Sequence, residues 1–201
     1  MSALDRALER IGADVADVEV HLQPFELNPT MGPDGADAAQ YLSEKYGLSP
    51  EQLNANRARI AERGAAEGFR FGTRSHVWNT FDAHRLLFWA GAEGPSGAQR
   101  ALKRALLKAY HGDDRNIGAA DVLIELADAA GLPAEPAREV LERGEFADEV
   151  RQAERFWQEL GIHSVPAVIV DRKHLISGGQ PSAVFEQALR QIAAQAAAAG
   201  P

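Results

Sequence analysis

Residues 161–170, GIHSVPAVIV, set a proline at the mouth of an apolar run rich in β-branched side chains. Proline removes a ladder donor, so Pro166 has to sit at the first residue of a strand or just ahead of it. The residues alone leave two readings open: an ordinary trans proline opening a strand, or a cis Val165–Pro166 bond held at a functional site. In either case Ala167 to Val170 is a short strand, "DRK" at 171–173 is a turn, and His174 to Ser177 is its hairpin partner. A last helix follows, with Val184, Phe185, Ala188, Leu189 and Ile192 as its stripe, before the alanine-rich tail.

Working back from this hairpin, the chain between Asp37 and about Leu160 carries almost wholly helical signals. "DAAQYLSEKYG" offers an aspartate cap and a glycine stop at Gly47, and Ser49, Pro50 and Gln52 form a capping-box pattern with proline at the first helical position. A further helix is expected over "HVWNTFDAHRLLFWAG", ended by Gly91, with Trp78, Phe81, Phe88 and Trp89 as its aromatic core. Three more striped segments stop at Gly112, Gly131 and Gly144, and "ADEVRQAERFWQELG" adds another helix. Ahead of this block, Leu4, Ala7, Leu8 and Ile11 mark an opening helix, and Val18, Val20 and Leu22 alternate with polar residues as a strand would. The order implies an α/β chain in which one sheet is interrupted by a helical insertion. The expected division is 1–35 with 161–201 for the sheet-bearing part and 36–160 for the insertion.

Composition narrows the function. The 201 residues carry a net charge of −8, with a pI near 5.3 and no basic cluster, which argues against a general nucleic-acid binder. No apolar run approaches the length of a bilayer span, and the amphipathic start lacks a secretory core, so no membrane partner and a cytoplasmic address are expected. Cysteine is absent, which removes disulfides, thiolate nucleophiles and thiol ligands from the chain as given. The six histidines show no metal-ligand spacing, and no phosphate loop or GxSxG motif is present, so neither a metal nor a cofactor is expected.

In "VEVHLQPFELNP", "NTFDAHRLLFWA" and "GIHSVPAVIVDRKHLISGGQP", taken in this order with the helices between, the chain resembles the DsbA family of the thioredoxin superfamily, and within it the FrnE-like subgroup. The resemblance implies a thioredoxin-like fold with a large all-helical insertion and thiol–disulfide oxidoreductase activity on a thiol-containing protein or a small molecule. It also implies that Pro166 is cis and faces the redox site, with Val165 and Ser164 beside it as substrate-binding residues. Asn79 and His84 belong to a matching segment and are candidates for the rim of that site. Helical spacing puts Asn79 and Asp82 on one face and His84 well round from them, so polar fastening of helix ends competes with a site role.

One departure bears on activity. The family pattern opens with a strand and a Cys-X-X-Cys at the first helix, whereas this chain begins at Met1 already inside what reads as that helix. The expectation is a start that omits the true N-terminus, with the first strand of the sheet missing and no catalytic residue in the chain. Thiolate attack on sulfur has no substitute among other side chains, so the chain as given is expected to be redox-inactive. A cysteine-less peptide-binding or chaperone-like protein and a glutathione-dependent isomerase are the alternatives. The sheet edges left open would pair with each other, borrow a strand in a homo-oligomer, or leave the chain poorly stable.

Overall fold

The computed structural model describes residues 1–12 and 15–199. The chain divides into two compact units, one comprising Met1–Val20 with Gln158–Pro201, the other His21–Trp157.

In the first unit, α1 (Ser2–Ile11) and α9 (Ser182–Ala199) form a helix pair. Ala7 and Ile11 on α1 and Phe185 and Leu189 on α9 are its buried apolar residues, the positions the sequence stripes mark. The Arg190 guanidinium donates to the backbone oxygen of Arg10 (3.0 Å) at the C-terminal end of α1, where a cation complements the helix dipole. Strands β3 (Ala167–Val170) and β4 (His174–Ser177) form the antiparallel hairpin read from the sequence, pairing Ala167 with Ser177 through to Val170 with His174. Its turn is closed by the Lys173 N–H donating to Val170 O (3.0 Å). Among the described residues β3 pairs with β4 alone.

The second unit is the helical block. A short pair, β1 (Ala36–Asp37) and β2 (His76–Val77), ties its start to its middle, and Gly35 beside it lies so close to Val77 and Trp78 that a Cβ there would meet the Val77 oxygen at 2.5 Å. Helix α2 (Ala38–Tyr46) is capped by Asp37, which accepts from the Gln40 N–H at 2.8 Å. It stops at a left-handed Gly47. Helix α3 (Pro50–Ala66) opens with the expected reciprocal capping box between Ser49 and Gln52. Helices α4 (Phe81–Ala92), α5 (Ala98–Leu107), α6 (Ala120–Ala129) and α7 (Ala134–Glu142) share one core, in which Leu86, Leu102, Leu123 and Leu132 are almost completely enclosed. Helix α8 (Ala147–Glu159) follows.

Three elements differ from the sequence reading. Val18–Leu22 forms no ladder among the described residues, although its side chains do alternate between half-buried Val18, Val20, Leu22 and exposed Glu19, His21. A period of two dictates an extended chain, whereas a strand also needs a partner backbone. Here the Gln99 side-chain amide stands in for one, accepting from Leu22 N (2.9 Å) and donating to Leu22 O (3.0 Å). The α4 segment starts later than its apolar pattern suggests, because Asn79 Oδ1 accepts from the Phe81 N–H (2.9 Å) and turns the chain just after β2. Its end is also misplaced: Gly91 is helical, and a Cβ there would lie 2.5 Å from Gln99 Nε2, so this glycine admits a neighbouring side chain rather than stopping the helix. Finally, the segment ending at Gly112 widens into a π-helical turn over Lys108–Gly112, where Tyr110 donates to His76 O (3.1 Å).

Candidate functional site

In the first unit the loop entering β3 carries His163, Ser164, Val165 and Pro166, all exposed. The Val165–Pro166 peptide bond is cis, the geometry the resemblance implied. The backbone oxygen of Pro166 accepts from Gly178 N (2.9 Å), which extends the hairpin by one bond and fixes the loop against the residue after β4. Val165 keeps 42% of its surface in contact with solvent, uncommon for a valine beside a strand. The arrangement is an apolar side chain and a hydroxyl displayed where one backbone edge of β3 has no ladder partner among the described residues.

In the second unit His84, on α4, lines a small cavity of about 60 Å³ with Leu22, Gln23, Pro24, Leu87, Phe88 and Lys103. Burial, reinforced by the positive charges of Lys103 and Arg151, holds the His84 imidazole down at about 3, so it is neutral at physiological pH. Burial likewise pushes the Lys103 ammonium down. One wall is the extended segment Leu22–Pro24, held by Gln99 at one end and by the Trp157 indole N–H, which donates to Gln23 Oε1 (3.3 Å). Just beyond it, Glu26 pairs with Arg151, whose guanidinium also lies 3.0 Å from Glu154 and stacks over the Phe81 ring at 3.8 Å from its centre. Glu154 Oε1 accepts from the Glu26 N–H (2.8 Å), so the 22–26 segment is anchored to α8. Burial pushes the Glu26 carboxyl up, against the opposing pull of Arg151.

Asn79, grouped with His84 in the sequence, has a different place. Its amide donates to Met31 O (2.7 Å) and its oxygen serves the first turn of α4, so both ends are engaged in fastening the chain. Asp82 joins Arg85, whose buried guanidinium also donates to Val140 O (2.6 Å) and Leu141 O (3.2 Å) in the last turn of α7 and to Glu145 O (3.0 Å) in the segment after it. The sequence reasoning passed over Lys103 and Gln99. They lie four residues apart on α5 and so share one face of that helix, and this spacing was the available signal.

A helix, a cis-proline hairpin and a closing helix, with a helical block inserted in the chain between them, define a thioredoxin-like α/β protein. More narrowly, residues 2–190 match the DSBA-like thioredoxin domain, and the chain belongs to that family. It is similar to the probable DsbA oxidoreductase SCO1869 of Streptomyces coelicolor, whose crystal structure superposes with a TM-score of 0.88 at 37% identity, covering 97% of this chain and 83% of that one. It is also similar to the uncharacterized protein YwbO of Bacillus subtilis (strain 168), at 28% identity over 189 residues, 86% of this chain and 82% of that protein.

Proposed function

We propose that this chain serves the thiol–disulfide chemistry of its family by holding substrate, with an extended stretch of a thiol-bearing protein laid along β3 beside Ser164, Val165 and Pro166. The observation that carries the reading is the β3 edge without a ladder partner among the described residues, continuous with the exposed Val165. An unpaired edge offers a row of backbone donors and acceptors to any extended peptide, and the flanking side chains add selectivity. The 201 residues contain no cysteine, so the electron transfer itself needs sulfur from outside them. The FrnE-like subgroup and a cytoplasmic setting belong to the same proposal; no described helix is long and apolar enough to cross a membrane.

Two measurements test it. Insulin reduction by dithiothreitol is expected to run at its uncatalysed rate in the presence of the chain, and turnover above that rate contradicts the assignment of the redox step. An extended peptide carrying serine in place of its cysteines should shift the amide resonances of residues 165–170 (proline apart), and a Val165→Asp variant should lose the effect. Peptides that leave those resonances unmoved remove the substrate-holding role.

A further inference from the structure

Helices α2 and α3 follow one another across residues 47–49, yet they do not close on each other. Helix α2 buries only Ala38, and α3 only Leu53 and Gly64. The space left between them measures about 280 Å³ and is lined by Gln40 and Ser43 of α2 and by Pro50, Leu53, Asn54 and Arg57 of α3. Helices that pack directly interdigitate their side chains and leave few voids larger than one water molecule, whereas this cleft has room for on the order of nine. Leu53, 7% exposed, lies innermost, and the exposed Gln40, Asn54 and Arg57 stand at the mouth.

The polar groups at the mouth are of two kinds. Gln40 Nε2 donates to Glu44 Oε1 (2.9 Å), which leaves Gln40 Oε1 as an acceptor. Asn54 and Arg57 are three residues apart on one face of α3, and among the described residues no hydrogen bond or ion pair holds either of them. Arg57 is the single charged residue lining the cleft. A divalent metal finds no carboxylate or imidazole there and meets a cation instead. Inorganic phosphate would engage Arg57 but leave the Gln40 oxygen and the apolar surface of Leu53 and Pro50 unused. A guanidinium matches a carboxylate with two parallel hydrogen bonds, and two carboxamides match the C=O and N–H of an amide.

We propose that the cleft between α2 and α3 binds a small acylated amino acid. Its carboxylate pairs with Arg57, its amide C=O accepts from Asn54, its amide N–H donates to Gln40 Oε1, and its side chain lies against Leu53 and Pro50. The same chemistry occurs in a free N-acyl amino acid and at the C-terminus of a polypeptide. This site is independent of the β3 edge and stands or falls separately from the peptide reading.

N-acetyl-L-alanine is the probe, titrated into the full chain by calorimetry and followed by the side-chain amide resonances of Gln40 and Asn54. N-acetyl-L-alaninamide serves as its uncharged isostere and inorganic phosphate as a purely ionic competitor. Saturable binding with a Kd on the order of a few millimolar is expected, with the alaninamide and phosphate weaker by about fivefold or more. Arg57→Gln should bind the probe at least about fivefold more weakly while melting with the parent, because the position is exposed and glutamine is as good a helix former as arginine. Asn54→Ala, a change that also favours the helix, should weaken binding by about threefold or more. An acetylated tetrapeptide ending in alanine separates the two sources: affinity at least equal to that of N-acetylalanine assigns the site to a polypeptide terminus, and binding of the short probe alone assigns it to the free molecule. Equal binding of N-acetylalanine and its amide, parental affinity in both folded variants, or no saturation at about ten times the expected Kd would overturn the proposal.

Discussion

Single residues in this chain show how burial, more than residue type, sets behaviour. His84 is held at about 3 against an ordinary 6.5, and His111 at about 4, in both cases first by burial. The unfolded chain takes up these protons as pH falls below about 6.5 while the folded chain refuses them, so this contribution to stability is complete above 6.5 and is lost as pH falls toward 3. Glu26, pushed up by burial, opposes this over part of the range, since its folded form accepts a proton that the unfolded one releases. The informative quantity is therefore a difference: the urea midpoint of the parent should drop on acidification below pH 6.5 more steeply than that of His84→Phe, and parallel slopes would show that His84 is not buried as described. Arg85 makes a second case. Its guanidinium donates to Val140 O and Leu141 O of α7 and to Glu145 O beyond it, so Arg85→Met should cost roughly 2–3 kcal/mol in chemical denaturation, chiefly from the lost charge-assisted hydrogen bonds and the unpaired Asp82. A loss below half a kilocalorie would mean that water reaches those carbonyls.

At the scale of elements, the hairpin β3–β4 is fully local and its turn is its weak point. Asp171 and Arg172 both have positive φ, 51° and 56°, a conformation that glycine adopts freely and a long side chain does not. Arg172→Gly, which creates the Asp-Gly pair favoured in left-handed two-residue turns, is expected to stabilise the chain by about 1 kcal/mol in thermal or urea unfolding. A destabilised variant would show that the Arg172 side chain makes contacts worth more than its backbone strain. Helix starts behave in the same local way: Asp37 and Ser49 cap as their sequence context prescribes. Helix α4 does not, because its boundaries depend on distant groups, namely Met31 O at one end and Gln99 packed against Gly91 at the other.

For the molecule as a whole, the consequence of greatest reach is the β3 edge. The strand is short but wholly apolar, Ala-Val-Ile-Val, and carries none of the charges that usually discourage edge pairing. Concentration-dependent association through this edge is expected in sedimentation velocity, and Val168→Lys should return the chain to monomer with little loss of helix content. A parent chain that stays monomeric at high concentration would show that the edge is covered. The same measurement bears on peptide binding, since a second copy and a substrate would compete for one row of backbone groups.

Much of this architecture was legible in the sequence, because it is written in short-range physics. Proline placement, the β-branched run and the turn at 171–173 specify the hairpin to the residue, and capping residues with glycine stops specify α2 and the start of α3. The lack of cysteine sets the chemical limit on the chain without any structure. What the sequence could not convey depends on which distant groups meet. Val18–Leu22 has the periodicity of a strand, yet periodicity carries no information about a partner, and a glutamine side chain supplies the bonds instead. His84 was visible as a residue but its meaning was not, because a neutral imidazole beside a half-buried lysine arises only when α4, α5 and the 22–24 segment close around them. Local pattern determines shape one element at a time; burial and charge, which decide chemistry, are properties of the packed whole.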